Sequence, residues 1–435
     1  MQKDESARAN FTQTTAASEE TVAEQAENSV EQTSEKHNKL RAKWEKLPRG
    51  TRKGIFVTAI VLSVLLGLYL LFSFISFGVV AASINDELAR WEEWQVRHIA
   101  ELERAYRDGT APKINEADFC NFDLQSALDE GMRLNELRYL ATHNSYKQSI
   151  SKETEVFYDY ALFGACNGLY DYVFDTVTEQ LTNGIRSIEI DLYKHRTADG
   201  FDIKILHNCL TEATTSMADF ALGLKELKMW SDYNEGHLPI IVLAEPKTSG
   251  IGKFAAMDEE AFKYAFSLME NILGDKLYTP SDAIGDYSTF AEMRAANDYP
   301  VVSDLTGKFV FLLHESKKKD SFTSLDETLL SQKMFYTAYA SSLSKGKSGV
   351  YADNVLFVLA NEPAETRDTD FAVENNFIVR TRIDLYHIVS AKRLSTALAS
   401  GANIMTSDYP PTASNRYDYT AYINESGKTI DRIVR

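Results

Sequence analysis

The apolar positions along the chain fall into three regimes. Residues 1–35 carry almost no large apolar side chains and are dominated by Thr, Ser, Ala, Gln, Asn and acids, from Asp4 and Glu5 to Glu31 and Glu35. Such a segment cannot offset chain entropy by burial and is expected to be a disordered acidic tail. Residues 55–83 contain no charged side chain. A bilayer core of about 30 Å takes about 20 apolar helical residues, so this run is predicted to span one, with length to spare. Across 136–412, short β-rich runs alternate with stretches of helical period. Strands are predicted at 137–141, 187–192, 203–206, 240–244, 309–313, 355–359, 377–383 and 403–406, and helices around 172–183, 214–230, 257–273, 322–334 and 389–400. This alternation predicts a single α/β domain with a parallel sheet, of a size that suits a TIM-type (β/α)8 barrel with allowance for distortion. A doubly wound sheet is disfavoured, since no Gly-rich phosphate loop follows the first strand.

Charge orients the apolar run. Lys36, Lys39, Arg41, Lys43, Lys46, Arg49, Arg52 and Lys53 crowd residues 36–54, whereas Arg90 and Arg97 are the nearest basic residues after the run. The positive-inside rule therefore predicts a single-pass membrane protein with a cytoplasmic N-terminus and an extracytoplasmic main domain. A signal peptide is the rival reading. Its apolar core is usually about 7–15 residues close to the N-terminus, so a cleaved, secreted form is less favoured, although Val80-Ala81-Ala82 resembles a cleavage site. Residues 84–135 are expected to form a stalk and lead-in helices, with Leu88, Trp91, Trp94, Ile99, Leu102 and Tyr106 at helical period, a face that packs on the domain or, less favoured, rests at the membrane interface. Residues 413–435, with Tyr417, Tyr419 and Tyr422, form a C-terminal tail that either packs on the barrel or is exposed.

Composition narrows the function classes. The 435 residues are 44% apolar with a net charge of −17, a folded protein without the basic face that nucleic acid requires. Cys120, Cys166 and Cys209 show no C-x-x-C spacing, which excludes a disulfide-built scaffold and a thiolate zinc cluster and allows at most one internal disulfide.

Active sites of such barrels collect at the C-terminal ends of the strands. The polar residues of this chain sit there: Thr142-His143-Asn144-Ser145, then Glu189 and Asp191, then His207-Asn208, Glu245 and Lys247, and late in the chain Arg380 and Arg382. Glu189 and Asp191 share a strand face, opposite Ile188, Ile190 and Leu192. Two like charges held together need compensation, which either a divalent cation or pairing with Arg186, Lys194 or Lys247 supplies. As a metal set, Asn144, Glu189, Asp191 and Glu245 offer only oxygen, which suits Ca2+, or less well Mg2+, better than zinc. His143 and His207 can accept and return a proton near neutral pH, as a phosphodiester displacement needs. Structural roles are expected for His98, His195, His237, His314 and His387. Lys247, Arg380 and Arg382 are candidates for holding a phosphate or sugar, with burial of the arginines against Asp384 or Asp408 as the alternative.

The runs 140–146 (LATHNSY), 181–191 (LTNGIRSIEID), Leu206-His207-Asn208 and Ala244-Glu245-Pro246-Lys247, with the closing Val379-Arg380-Thr381-Arg382 and Thr406-Ser407-Asp408-Tyr409, resemble phosphatidylinositol-specific phospholipase C. The likeness is to its bacterial-type, calcium-dependent branch and covers about residues 136–412. The resemblance implies Ca2+-dependent cleavage of phosphatidylinositol to diacylglycerol and inositol phosphate. It implies that His143 stabilises charge on the phosphorus and that Asn144, Glu189, Asp191 and Glu245 hold one Ca2+. Glu189 would also lie near the inositol 2-hydroxyl as a base, while His207 would protonate the departing oxygen and later activate water. Glycerophosphodiester phosphodiesterases share the barrel and an E-x-D strand and are the alternative, but their first-strand His-Arg is His143-Asn144 here. A reading of another class is a catalytically silent surface protein that binds a lipid head group.

Overall fold

In the computed structural model, residues 36, 39, 41–164, 171–314, 319–326, 328–346, 349–363, 366–385 and 390–433 are described. The acidic tail, Cys166, His387 and the first residue of the 389–400 helix lie outside them. Residues 1–72 and 73–435 form separate compact units. One uninterrupted helix, Arg49–Arg107, covers both the predicted span and the predicted stalk. No proline interrupts residues 49–107, so nothing in the sequence stops the helix between its apolar and amphipathic parts. In the first unit its apolar side chains, Ile55 to Phe72, stay exposed. In the second, Val80, Ile84, Leu88, Gln95 and Ile99 are buried against the main domain.

That domain is a closed barrel. Among the described residues its fourteen strands in chain order begin with β1 (Leu137–Thr142), β2 (Tyr172–Phe174), β3 (Ser187–Thr197), β4 (Gly200–Ile205), β5 (Ile240–Pro246), β6 (Phe254–Ala255) and β7 (Leu277–Tyr278). They continue with β8 (Phe309–Leu313), β9 (Phe335–Tyr339), β10 (Phe357–Leu359), β11 (Ile378–Arg382), β12 (Ile404–Ser407), β13 (Ala413–Asn415) and β14 (Ile430–Arg432). Parallel pairing runs β1–β3–β5–β8–β9–β10–β11–β12 and returns to β1. The β1–β3 seam is held by one pair, Ala141 with Ser187.

Two of the expectations about strands change. The run at 203–206 is not a barrel strand: β3 projects past the mouth, turns, and β4 returns antiparallel to it, Leu192 facing Ile205. The eighth barrel strand is β9, whose sequence Phe-Tyr-Thr-Ala-Tyr has strand propensity but no flanking turn signal. Likewise the predicted helix at 172–183 opens with strand β2 before helix Val177–Thr182, and that at 322–334 shrinks to Lys319–Thr323.

Strand alternation divides the apolar residues into two clusters. Ile188 and Ile190 of β3, Val242 and Ala244 of β5, and Phe309 and Phe311 of β8 face the helices, among them Phe220–Tyr233 and Glu259–Leu273. Ile241, Leu243, Val310, Leu312, Phe357 and Ile404 fill the barrel interior with Met132, Leu134 and Tyr299. At the closed end, Arg186 forms a two-pronged pair with Glu116, Nε–Oε1 2.8 Å and Nη2–Oε2 2.6 Å. The C-terminal segment packs on the domain: β13 pairs with β2, and β14 with the outer edge of β1. Cys120 and Cys209 are free and buried.

Candidate active site

The open end of the barrel holds a cavity of about 270 Å3 lined by His143, Asn144, Tyr172, Glu189, His207, Glu245, Lys247, His314, Asn361, Arg380 and Arg382. Each wall residue is placed by a strand end. The turn after β1 is stapled to β3, with Ser145 N–H donating to the Glu189 carbonyl (2.9 Å) and Glu189 N–H to Ser145 Oγ (2.8 Å). Asn144 takes a left-handed φ of 51° in that turn, which Asn tolerates better than most residues. Glu189, on the inward face of β3, meets Arg380 of β11 across the barrel, Nη2–Oε2 2.6 Å. His207 follows β4, and the hairpin geometry returns it to the mouth.

Both predicted histidines have a buried carboxylate behind them. His143 Nδ1 lies 2.8 Å from Asp408 Oδ1, and Asp408 Oδ2 accepts from Arg382 at 2.8 Å. His207 Nδ1 lies 2.8 Å from Glu212 Oε2, whose other oxygen pairs with Lys147. A carboxylate at Nδ1 fixes a neutral imidazole as the Nδ1–H tautomer and turns a lone pair on Nε2 toward the cavity. His143 Nε2 is 3.9 Å from Glu189 Oε1. Burial pushes His207 well below its ordinary value, and Lys147, Lys247 and His143 add to the shift. The Lys147–Glu212 pair is neutral as a whole, so burial decides and the imidazole is uncharged at neutral pH.

The acidic side of the cavity is equally organised. Burial raises Glu189, but Arg380, His143, His314 and Arg382 outweigh it and hold the carboxyl below its usual range. Lys247 Nζ bridges Asp191 Oδ2 (2.6 Å) and Glu245 Oε1 (2.9 Å). Burial works against its charge, yet those two carboxylates keep Lys247 well above the ordinary lysine value. Tyr146 also donates to Asp191 Oδ2, at 2.7 Å, while Asp191 Oδ1 is buried with no hydrogen-bond partner among the described residues. Glu189, Glu245 and His314 each offer a ligand atom within 4.8 Å of the others.

In sequence, residues 132–202 and 197–431 match the family model for phosphoinositide phospholipase C, Ca2+-dependent. The chain belongs to that family. Among solved structures it is similar to a calcium-dependent phosphoinositol-specific phospholipase C from a Pseudomonas species, at 18% identity over 69% of this chain and 95% of that one, with a TM-score of 0.47. It is also similar to a Ca2+-dependent phosphatidylinositol-specific phospholipase C from Streptomyces antibioticus, at 19% identity over 69% and 98%, TM-score 0.46. A putative glycerophosphoryl diester phosphodiesterase from Silicibacter pomeroyi matches at 10% identity over 66% and 95%, TM-score 0.31. No curated protein matches in sequence. The protein is thus an enzyme of the phospholipase C class, and its family is Ca2+-dependent.

For this phospholipase the structure brings together eight of the nine predicted site residues in one cavity. Asp191 stands behind the wall, held by Tyr146 and Lys247. Arg382 is buried against Asp408, the alternative weighed for it, and Arg380 spends its donors on Glu189, Thr406 and Asn361. Of the three basic residues considered as plain ion-pair partners for the acids, only Lys247 plays that part; Arg186 pairs with Glu116, and Lys194 with Asp258 and Glu260. His314 corrects an expectation. It was assigned a structural role, yet it directly follows β8, is anchored by its N–H to the Ala244 carbonyl at 2.8 Å, and lines the cavity. The strand-end rule that singled out Glu245 applies equally to it. Glu212, Lys147 and Asn361 had no local motif to mark them, and Asp408, part of the closing motif, carried no local sign that it stands behind His143.

Proposed function

We propose that this enzyme is a membrane-anchored phosphodiesterase that cleaves phosphatidylinositol to diacylglycerol and an inositol phosphate. The observation that carries the reading is the pair of carboxylate-backed histidines facing one polar cavity opposite Glu189 and Glu245. The cavity is lined almost wholly by polar side chains, which suits a phosphorylated polyol better than an apolar ligand.

Asn144, Glu189 and Glu245, with the orphaned Oδ1 of Asp191 behind them, fit an oxygen-bound Ca2+, because three carboxylates face only two paired cations, Lys247 and Arg380. His314, a nitrogen donor, belongs on that argument to the wall and not to the ligand set. Bound there, Ca2+ supplies Lewis-acid polarisation of the phosphate and acidifies a nearby hydroxyl. His143, flanked by Asp408 and Glu189, is suited to carry positive charge beside the phosphorus. His207 in its neutral form offers Nε2 to accept the proton of the attacking hydroxyl and then returns that proton to the leaving oxygen, so acceptance comes first in its cycle. Residues 55–83 anchor the enzyme as a single span, with the basic segment 36–54 on the cytoplasmic side.

The test uses the full chain with vesicles containing radiolabelled phosphatidylinositol, in Ca2+ and in excess chelator. Water-soluble inositol phosphate released only with Ca2+ is expected. Release that persists in chelator removes the calcium assignment, and no release in either condition moves the substrate to glycerophosphodiesters.

A further inference from the structure

His207 and Glu212 lie on the loop 206–219, between β4 and helix Phe220–Tyr233. The ends of this loop are tied together. Lys204 of β4 pairs with Asp219 Oδ2 at 3.0 Å, and Asp219 Oδ1 caps the helix by accepting from Leu222 N–H at 3.0 Å. Across its middle, Asn208 and Glu212 exchange N–H to carbonyl bonds of 3.1 and 3.0 Å. One flank leans on the segment after β1, where Ser216 N–H donates to the Tyr146 carbonyl at 2.8 Å and Thr214 Oγ1 to that of Gln148 at 3.2 Å.

The other flank is covered by the second part of helix Arg49–Arg107, which belongs to the same compact unit as the barrel. Ile84 and Leu88 are buried with Leu206, Cys209, Ala213 and Ala218. Three polar side chains from the same stretch of helix reach the loop and β4. Gln95, fully buried, accepts from Asp219 N–H at 2.8 Å and donates to the Asp219 carbonyl at 3.3 Å. Glu87, also buried, accepts from Ala213 N–H, and Glu92 pairs with Lys204 at 2.9 Å. A helix that only covered apolar surface would need Ile84 and Leu88 and no buried amide or carboxylate, because burying polar groups costs free energy unless they are bonded. Here the two buried polar side chains are spent on the backbone of the loop that carries His207, whose own N–H and C=O groups must also find partners.

We propose that Glu87 and Gln95 are positioning residues for catalysis: from the long helix they fix the loop 206–219, and with it the direction in which His207 Nε2 faces the cavity. The inference rests on the role given to His207 under the proposed function. Lys247, Arg380 and the acids of the cavity stand on other strands, so releasing the loop disturbs the proton transfer and leaves the binding walls in place. A catalytic group displaced by about 1 Å costs up to about a hundredfold in rate.

Full-length protein carrying Gln95→Leu or Glu87→Leu is assayed on phosphatidylinositol vesicles in Ca2+, well below the unfolding temperature of each variant. In both, kcat should fall about ten- to a hundredfold with KM within about twofold of wild type. Glu87→Gln keeps an acceptor for Ala213 N–H and should retain most of the wild-type kcat. Wild-type kcat in both leucine variants overturns the inference, even where their unfolding temperature drops, and so does an equal loss in Glu87→Gln. Amide hydrogen exchange of the wild-type chain tests the clamp without a substitution. The Ala213 and Asp219 amides should exchange at least about a hundredfold more slowly than those of Ala198 and Asp199 in the exposed β3–β4 turn; equal rates overturn the inference. Wild-type protein that releases no inositol phosphate overturns the functional reading and the inference with it, whereas an active wild type with indifferent variants overturns the inference alone.

Discussion

Lys147 is the least conspicuous member of the site and gives its sharpest test. Burial pulls its amine down to about 7, and the ion pair with the buried Glu212 is what holds the charge in place; the group lies 5.4 Å from the Tyr172 ring centroid. Lys147→Met keeps the aliphatic stem and removes only the charge. Glu212 is then a buried carboxylate whose remaining ionisable contact among the described residues is His207, 2.8 Å away. Breaking a buried ion pair from one side costs about 3–5 kcal/mol, most of it the uncompensated partner. The cheapest relief is a proton on His207, because the pair His+–Glu− restores neutrality, and an adjacent carboxylate raises a histidine by about 1–3 units. The sign of the pH dependence therefore inverts. In the wild type His207 is held below its unfolded value, so the unfolded chain binds more protons and the His207 contribution to stability falls as pH drops through about 6.5. In the variant the folded value is raised, and the contribution is present at low pH and lost as pH rises through it. Urea unfolding between pH 5 and 8 measures both, and the acid limb of kcat/KM should move upward with the same shift. A stability loss below about 1 kcal/mol with an unchanged pH slope would refute the reasoning, since either the pair is not buried or it does not govern His207.

Asp408→Asn keeps the shape but loses the charge that orients His143 and neutralises Arg382, so kcat should fall about 10³-fold or more with KM little changed; kcat within a few-fold of wild type would remove Asp408 from the site. Burial beside Asp408 pushes Asp384 up to about 7, while Ser407 Oγ and Asp408 N–H donate to it. Its contribution is complete below about pH 4 and lost as pH rises toward 7, so Asp384→Asn should gain stability over wild type, on the order of 1–3 kcal/mol, at pH 8 and nothing at pH 4 in chemical denaturation. At the closed end, Arg186→Met strands Glu116 and should cost about 3–5 kcal/mol, with Arg186→Met/Glu116→Leu recovering most of it. Calorimetry should show the single variant unfolding at lower temperature, while activity measured well below that temperature is retained.

The periodicity of the strands and the position of polar residues at strand ends are local properties, and both were legible. Ile188-Glu189-Ile190-Asp191-Leu192 states its own inward and outward faces because side chains alternate along a strand. The uncharged run at 55–83 and its basic flank are equally local. What no local pattern shows is which distant side chain stands behind another. His143 and Asp408 are 265 residues apart and meet because β1 and β12 are neighbours in the closed barrel. Arg380 meets Glu189 because β11 and β3 face each other across its interior. The hairpin of β3 and β4 hid itself, since a short apolar run reads alike whether it continues a parallel sheet or folds back on its predecessor. His314 was readable by position but not by type, because a lone histidine carries no partner in its own sequence neighbourhood. The sequence by itself determined the strand faces, the strand-end chemistry and the uncharged apolar run, each set by the periodicity or composition of neighbouring residues. Only the tertiary structure decided which carboxylates tune the two histidines, which cations neutralise the acids, and where the long helix docks, because barrel closure chooses those neighbours and electrostatics in a buried site acts through space, not along the chain.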